Sequence, residues 1–144
     1  MPSVIDVAAF ILQERGNMTA MKLEKLAYYS QAWSLVWDER ALFPERIEAW
    51  ANGPVIPDLY RQHQGRFRVG PGDMPGDPAA IDATGQDSIR AVLGFYGDKS
   101  AQWLSDLTHQ ESPWRDARAG LADGERGQVE ITPAAMAEYY GGLG

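Results

Sequence analysis

The sequence contains no cysteine and only two histidines, His63 and His109, among its 144 residues. The absence of cysteine excludes disulfide bonds, thiolate zinc sites and a cysteine nucleophile. With two histidines, a three-histidine metal site within one chain is excluded as well. A chain of this length is expected to form a single domain over residues 1–144, because folding would bury roughly 68% of its extended surface without any cross-link.

Long apolar runs and an excess of positive charge are also missing. The longest apolar run near the start, residues 7–12, is too short for a signal-peptide core and for a bilayer span. Thirteen Lys and Arg against twenty Asp and Glu give a net charge of −7. Nucleic acid and anionic membranes are therefore not expected as direct partners, because phosphate binding needs a basic face. These absences predict a soluble cytoplasmic protein.

Capping residues and apolar spacing predict a series of helices. Ser3 is expected to cap a first helix that ends at Gly16, and Thr19 to cap a second that runs to about Asp38. Within this second helix, residues 26–37 include no charged side chain, which is typical of a helix buried at the centre of a fold. The same signals predict further helices over residues 57–60, 89–96, 101–107, 113–119 and 133–140.

A small β element is expected between these helices. Apolar side chains alternate along residues 47–51, which predicts a short strand that residues 129–131 could pair with. Residues 52–54, Asn-Gly-Pro, are typical of a turn. Residues 65–85 hold five Gly and three Pro and predict a loop within the domain. The expected fold is mainly α, a single compact helical domain with a buried central helix and a minor two-stranded β element.

Catalytic chemistry is only weakly indicated. His109 and Glu111 could supply half of a metal site, so a small metal-assisted hydrolase is kept as an alternative function. However, His63 is far away along the chain and no other His or Cys exists. A hydrogen bond from His109 to the turn at Ser112 and Pro113 explains this histidine better, because a helix C-terminus favours His. We therefore expect no enzymatic activity, no metal and no cofactor.

Aromatic residues and two lysines favour a binding role. Five Trp, six Tyr and four Phe are present. Most, including Trp33, are expected in the core, and the remainder are candidates for a partner surface because Trp and Tyr are enriched at interface hot spots. Lys22 and Lys25 fall near the start of the second helix, where positive charge opposes the helix dipole. We interpret them as residues on an open solvated face, with contact to an acidic partner patch as the alternative.

Four segments of the chain carry a recognisable pattern. They are residues 21–33 (MKLEKLAYYSQAW), 48–57 (EAWANGPVIP), 107–114 (LTHQESPW) and 131–140 with its Thr-Pro and Tyr-Tyr pairs. Their order and spacing are similar to those of the Panacea domain family, which includes SocA-like antitoxins and GepA-type phage-associated proteins. The motif residues, which we interpret as mostly structural, are Lys22, Leu26, Tyr28, Tyr29, Trp33, Trp50, Gly53, Pro54, Val55, His109, Pro113 and Trp114.

This resemblance implies an antitoxin and not an enzyme. Such proteins neutralise a cognate toxin encoded next to them by binding it directly. The SocA branch is proposed to act as a proteolytic adaptor that delivers its toxin to the protease ClpXP, so the unfoldase ClpX is a second expected partner. The family is associated with toxins of several kinds, and the resemblance therefore does not identify the toxin. A phage-associated structural or interaction protein is the remaining alternative.

Residues that contact the partner are expected outside most of the motif positions. Asp73, Asp77, Asp82 and Asp87 are spaced through and just after residues 65–85. A mobile acidic segment there could speed the capture of a basic toxin. The two lysines of the second helix form the other set of candidates.

Overall fold

Helices make up most of the structure, a computed structural model that describes residues 1–143. Within that range there are seven α-helices: α1 (Val4–Arg15), α2 (Ala20–Trp37), α3 (Pro57–His63), α4 (Ala83–Tyr96), α5 (Ala101–Gln110), α6 (Ser112–Ala117) and α7 (Pro133–Leu143). The same residues contain five short strands: β1 (Met18–Thr19), β2 (Ile47–Trp50), β3 (Gly53–Val55), β4 (Arg68–Val69) and β5 (Glu130–Ile131). The predicted mainly α fold is confirmed. Among residues 1–143, no helix is both long enough and apolar enough to cross a membrane.

The first two helices begin and end where the sequence predicts. Ser3 and Asp6 form a capping box at the start of α1, and Gly16 ends that helix with a φ of 78°. Thr19 caps α2 by accepting the backbone N–H of Lys22 at 3.2 Å. Every side chain from residue 23 to residue 32 is buried, because α1, α4, α5 and α7 pack around α2. The prediction of a buried central helix is confirmed.

The β element is larger than the two strands predicted. Strand β2 pairs antiparallel with β5, as expected, but it also pairs antiparallel with β3. Gly53 and Pro54 lie within β3, so the turn predicted at 52–54 instead occupies residues 51–52. A separate antiparallel ladder joins β1 to β4. The sheet places β3 directly against α2 and α5.

Several predicted segment boundaries are wrong. The segment 65–85 is packed against the domain, because Met74 and Ile81 are buried and Gly76 lies against the backbone of Ile5. Most of residues 65–82 lies outside helices and strands, but this packing disagrees with the expectation that the segment is mobile. Helix α4 begins at Ala83, well before the predicted start at residue 89, and α7 continues beyond the stop predicted at residue 141.

Candidate functional site and the surfaces around it

Lys25 belongs to α2, and its side chain is buried between that helix and β3. Its side chain is 1% exposed, and its Nζ donates a hydrogen bond to the carbonyl of Pro54 at 3.1 Å. A Cβ added at Gly53, whose φ is +123°, would lie 2.5 Å from Cε of Lys25. Burial lowers the pKa of Lys25 to about 8, against the opposing effect of Glu24. The interpretation of Lys25 as a solvated or partner-facing residue is therefore wrong, because β3 covers it.

Glu24 joins α2 to α3. Its Oε1 accepts the backbone N–H of Ile56 at 2.8 Å, and its Oε2 lies 2.7 Å from Nε2 of His63. Ile56 is the residue that precedes α3, and its own side chain offers no cap, so the glutamate satisfies one of the free donors at that helix start. Both Glu24 and His63 are fully buried. No local pattern points to this pair, because the two residues are separated by 39 positions.

Glu111 joins α2 to α7 through two tyrosines. Its Oε1 accepts hydrogen bonds from the hydroxyls of Tyr29 and Tyr140, each at 2.7 Å. The hydroxyls of Tyr140 and Tyr28 are 2.9 Å apart. Burial raises the pKa of Glu111, while its tyrosine hydrogen bonds act in the opposite direction. Burial also raises the pKa of all three tyrosines, so they remain protonated donors at neutral pH.

His109 and Trp114 connect α5 and α6 to the sheet. The two rings stack with their centroids 3.9 Å apart, and Nε1 of Trp114 donates to the carbonyl of Trp50 at 2.8 Å. Burial lowers the pKa of His109. Its Nε2 is buried and has no hydrogen-bond partner within residues 1–143. Stacking on Trp114, and not the predicted hydrogen bond to the turn at Ser112, holds this ring in place.

These contacts bring all four sequence segments together in one largely buried cluster, which we call the motif junction. It consists of Glu24, Lys25, Tyr28, Tyr29, Gly53, Pro54, His63, His109, Glu111, Trp114 and Tyr140. The other motif residues Leu26, Val55 and Pro113 are buried around it, while Trp50 and Lys22 are half-buried. Each polar contact in the junction joins two different elements of the fold. These contacts therefore connect the elements that surround α2.

His109 and Glu111 do not converge on a common site. The carboxylate of Glu111 faces the two tyrosines, whereas the ring of His109 faces Trp114. Across the part of the chain that the structure describes, no three His, Cys, Asp or Glu side chains are grouped so that they could hold a metal ion. The geometry gives no donor set for the metal-assisted hydrolase that the sequence left open.

A stack of aromatic rings leads from the core to the surface along α2, α4 and α7. The ring of Trp33 lies 5.2 Å from that of Trp37, and its Nε1 donates to the hydroxyl of Tyr96 at 3.0 Å. Trp37 is 48% exposed and Phe95 is 66% exposed. Trp33, which the sequence places in the core, packs against the core but is only partly buried. We use the name aromatic face for the exposed rings of Trp37 and Phe95 together with the partly buried ring of Trp33.

The four candidate aspartates are all exposed. Asp73, Asp77 and Asp82 each accept a nearby backbone N–H, at 2.7, 2.9 and 2.8 Å respectively. Asp82 also forms an ion pair with Arg40 at 2.6 Å, and hydrogen bonds from Arg40 hold the pKa of Asp82 at about 2. These aspartates therefore stabilise turns of a packed segment and present charge at fixed positions. Asp87 lies on the exposed side of α4.

Comparison with known proteins gives one match. A family model for the antitoxin SocA-like, Panacea domain matches residues 23–115. This range begins near the start of α2 and ends within α6, so it includes most of the motif junction but not Tyr140. The comparisons with curated proteins and with solved structures find no match.

Proposed function

Because the chain belongs to the SocA-like antitoxin family of Panacea domains, we propose that it neutralises a cognate protein toxin, encoded beside it, by binding that toxin directly. The family match over residues 23–115 carries this proposal. The fold is consistent with a binding role, because the motif junction occupies the interior and leaves the surface available for a partner. In this proposal the junction fixes the shape of the domain, and the exposed residues recognise the toxin.

The aromatic face supports the proposal as a contact surface. Trp37 and Phe95 expose large apolar rings on neighbouring helices, and such residues are common at the energetic centres of protein interfaces. Their burial by a partner would remove apolar area from water without any change in the fold. Trp103 is the control for these two residues. It is 41% exposed, similar to Trp37, but it lies on a different helix, α5, beside Lys99.

Growth rescue tests the proposal. Genes on either side of this one are expressed in a bacterial host, alone and together with the antitoxin, and the proteins are then co-purified. We expect one neighbour to stop growth, and the wild-type protein to restore growth and to co-purify with that toxin. Trp37→Ala combined with Phe95→Ala should weaken both effects, whereas Trp103→Ala should leave them intact.

Two results would contradict the proposal. If no neighbouring gene is toxic, the chain is better explained as a phage-associated structural or interaction protein. If the wild-type protein rescues growth but no complex is detected, the hypothesis of direct binding is wrong. The protein would then have to act on the molecules that the toxin produces or modifies.

Delivery to ClpXP is the finer part of the proposal, supported by the match to a SocA-like domain. It requires that toxin, antitoxin and ClpX meet in the cytoplasm. The half-life of the toxin is measured after translation is stopped, in cells with and without ClpX and with and without the antitoxin. An adaptor shortens the half-life only when both are present. Rescue with an unchanged half-life would leave neutralisation by binding and reject the adaptor step.

A further inference from the structure

A groove of about 700 Å³ lies between α6 and α7, beside the end of β5. Its lining mixes apolar and polar side chains, most of them small. The apolar ones are Pro113 and Ala117 from α6, Ile131 from β5 and Ala135 from α7, and Ser112 and Thr132 lie among them. Tyr139 lines the same groove and also packs against Tyr140 of the motif junction, with ring centroids 5.0 Å apart. Residues 135–143 of α7 line the groove over about 12 Å, and the six residues of α6 extend about 9 Å, at 1.5 Å per residue. The groove is therefore long enough for about two turns of a docked helix.

The rim of this groove is acidic. Three carboxylates line the groove, one from each neighbouring element: Asp116 from α6, Glu130 from β5 and Glu138 from α7. Asp116 lies 4.0 Å from Arg115, whereas Glu130 and Glu138 form no ion pair within residues 1–143. Arg46 also lies near Glu130, because both line a neighbouring groove, but its ion pair is with Glu48. Among the described residues, Glu130 and Glu138 therefore have no ion-pair partner of their own at the edge of the groove.

We propose that the α6–α7 groove is the docking site for a basic amphipathic helix of the toxin. Small side chains on the floor allow a helix to approach closely, as in the recognition of amphipathic helices by apolar grooves. Lysine or arginine residues flanking the apolar stripe of that helix would lie against Asp116, Glu130 and Glu138. An acidic helix of the same shape would be repelled, so the groove selects by charge as well as by shape. This inference rests on the proposed antitoxin function and names the part of the toxin that is captured.

Synthetic peptides of 18 residues provide a test that does not require the toxin. The first contains Leu and Lys arranged so that Leu forms one helical stripe. The second has the same composition in an order that gives no stripe, and the third replaces Lys with Glu. Binding is measured by calorimetry, and the contact surface is mapped by backbone amide shifts. We expect only the first peptide to bind, with the largest shifts at residues 112–117 and 131–142.

Matched variants separate the groove from general attraction to an acidic protein. The groove variant carries Asp116→Asn, Glu130→Gln and Glu138→Gln. The control carries Asp98→Asn, Asp106→Asn and Asp123→Asn, which changes the net charge equally on other elements. The groove variant should weaken binding of the first peptide at least tenfold, and the control less than threefold. Equal weakening in both variants would overturn the inference.

A steric pair tests the shape of the groove. Ala135→Trp fills the floor, whereas Ala134→Trp adds the same ring at an exposed position of α7 that does not line the groove. With unchanged melting temperatures, only Ala135→Trp should block the peptide and the rescue of growth. If Ala135→Trp rescues growth as well as the wild type, the groove inference is wrong while the antitoxin function stands. If the wild type itself does not protect, the proposed function fails independently of the groove.

Discussion

The interior and the surface of this protein use charged residues in opposite ways. In the motif junction, Glu24, Lys25 and Glu111 are buried, and each is held by a partner from another element. At the surface, the half-buried Glu130 and the exposed Glu138 lie at the edge of the α6–α7 groove. A buried charge is tolerated only with its partners, so a change at one junction residue affects several elements. An exposed carboxylate has no such constraint and can be altered to suit a partner. Substitutions in the junction should therefore affect stability, and substitutions on the surface should affect binding.

The largest expected loss of stability follows from Gly53→Ala. The added Cβ would meet the buried side chain of Lys25, and the φ of +123° is unfavourable for alanine. Backbone strain and overpacking together should cost about 3–5 kcal/mol of unfolding free energy. Gly120→Ala is the matched control, because Gly120 has a φ of +90° with open space around it, and it should cost only about 1–2 kcal/mol. Urea unfolding measures both, and equal losses would show that the contact with Lys25 is unimportant.

A second large effect distinguishes two tryptophans. Trp114 is 8% exposed, stacks on His109 and donates to the carbonyl of Trp50. Trp114→Ala should therefore cost about 3–5 kcal/mol, the range for removal of a buried large aromatic side chain. Trp37→Ala should cost about 1 kcal/mol, mainly from the lost stacking on Trp33. Thermal unfolding gives the two values, and a smaller loss for Trp114 than for Trp37 would reverse the assignment of interior and surface.

A pH effect is expected from Lys25. Its pKa is lowered to about 8 in the folded protein, so between that pH and its ordinary value the unfolded chain binds more protons. Lys25 alone should therefore raise the free energy of unfolding by roughly 1.5 kcal/mol from pH 8 to pH 9.5. The buried tyrosines, whose pKa values are raised in the folded protein, oppose part of this rise near pH 9.5. Lys25→Met should abolish most of this rise, while Lys22→Met should leave most of it, because Lys22 is only partly buried. Urea unfolding at several pH values tests this, and a rise that persists in Lys25→Met would show that another group titrates.

Much of the helical framework could be predicted, because local signals determine it. Ser3, Thr19 and Ser100 act at helix starts through contacts with residues three positions away, which a sequence displays directly. The uncharged stretch from Leu26 to Trp37 likewise revealed the central helix.

The motif junction could not be predicted in the same way, because its contacts join residues far apart in the chain. Glu24 and His63 are 39 positions apart, and Tyr29 and Glu111 are 82 apart. The position of Lys25 was a signal that was misinterpreted. This lysine directly precedes the uncharged stretch of a helix that is predicted to be central. A charge in that position indicates a buried partner as readily as an open face. The packing of residues 65–85 depends on tertiary contacts of Met74 and Ile81, which glycine and proline content does not reveal.

The smallest expected effect concerns the rate of toxin capture and leaves stability nearly unchanged. Asp73, Asp77, Asp82 and Asp87 are changed together to Asn, which removes four negative charges but keeps side-chain oxygens that can accept the same backbone N–H groups. Electrostatic steering predicts that the association rate of the wild-type protein with its toxin falls steeply as salt is added. The variant should associate more slowly at low salt and show a shallower dependence, with the two rates converging at high salt.

A control of equal charge decides whether the position of these aspartates matters. Asp98→Asn, Asp106→Asn, Asp123→Asn and Glu125→Gln also remove four charges. They lose one exposed ion pair, Asp98 with Arg15, whereas the first variant loses two, Asp73 with Arg66 and Asp82 with Arg40. If the aspartates of the packed segment lie beside the bound toxin, they act over less than the screening length of about 8 Å at physiological salt. Their removal should then flatten the salt dependence of the association rate more than the control substitutions do. Equal slopes for the two variants would mean that the toxin senses only the total charge. In that case the acidic segment serves solubility, and the docking surface must be sought at the aromatic face or the α6–α7 groove.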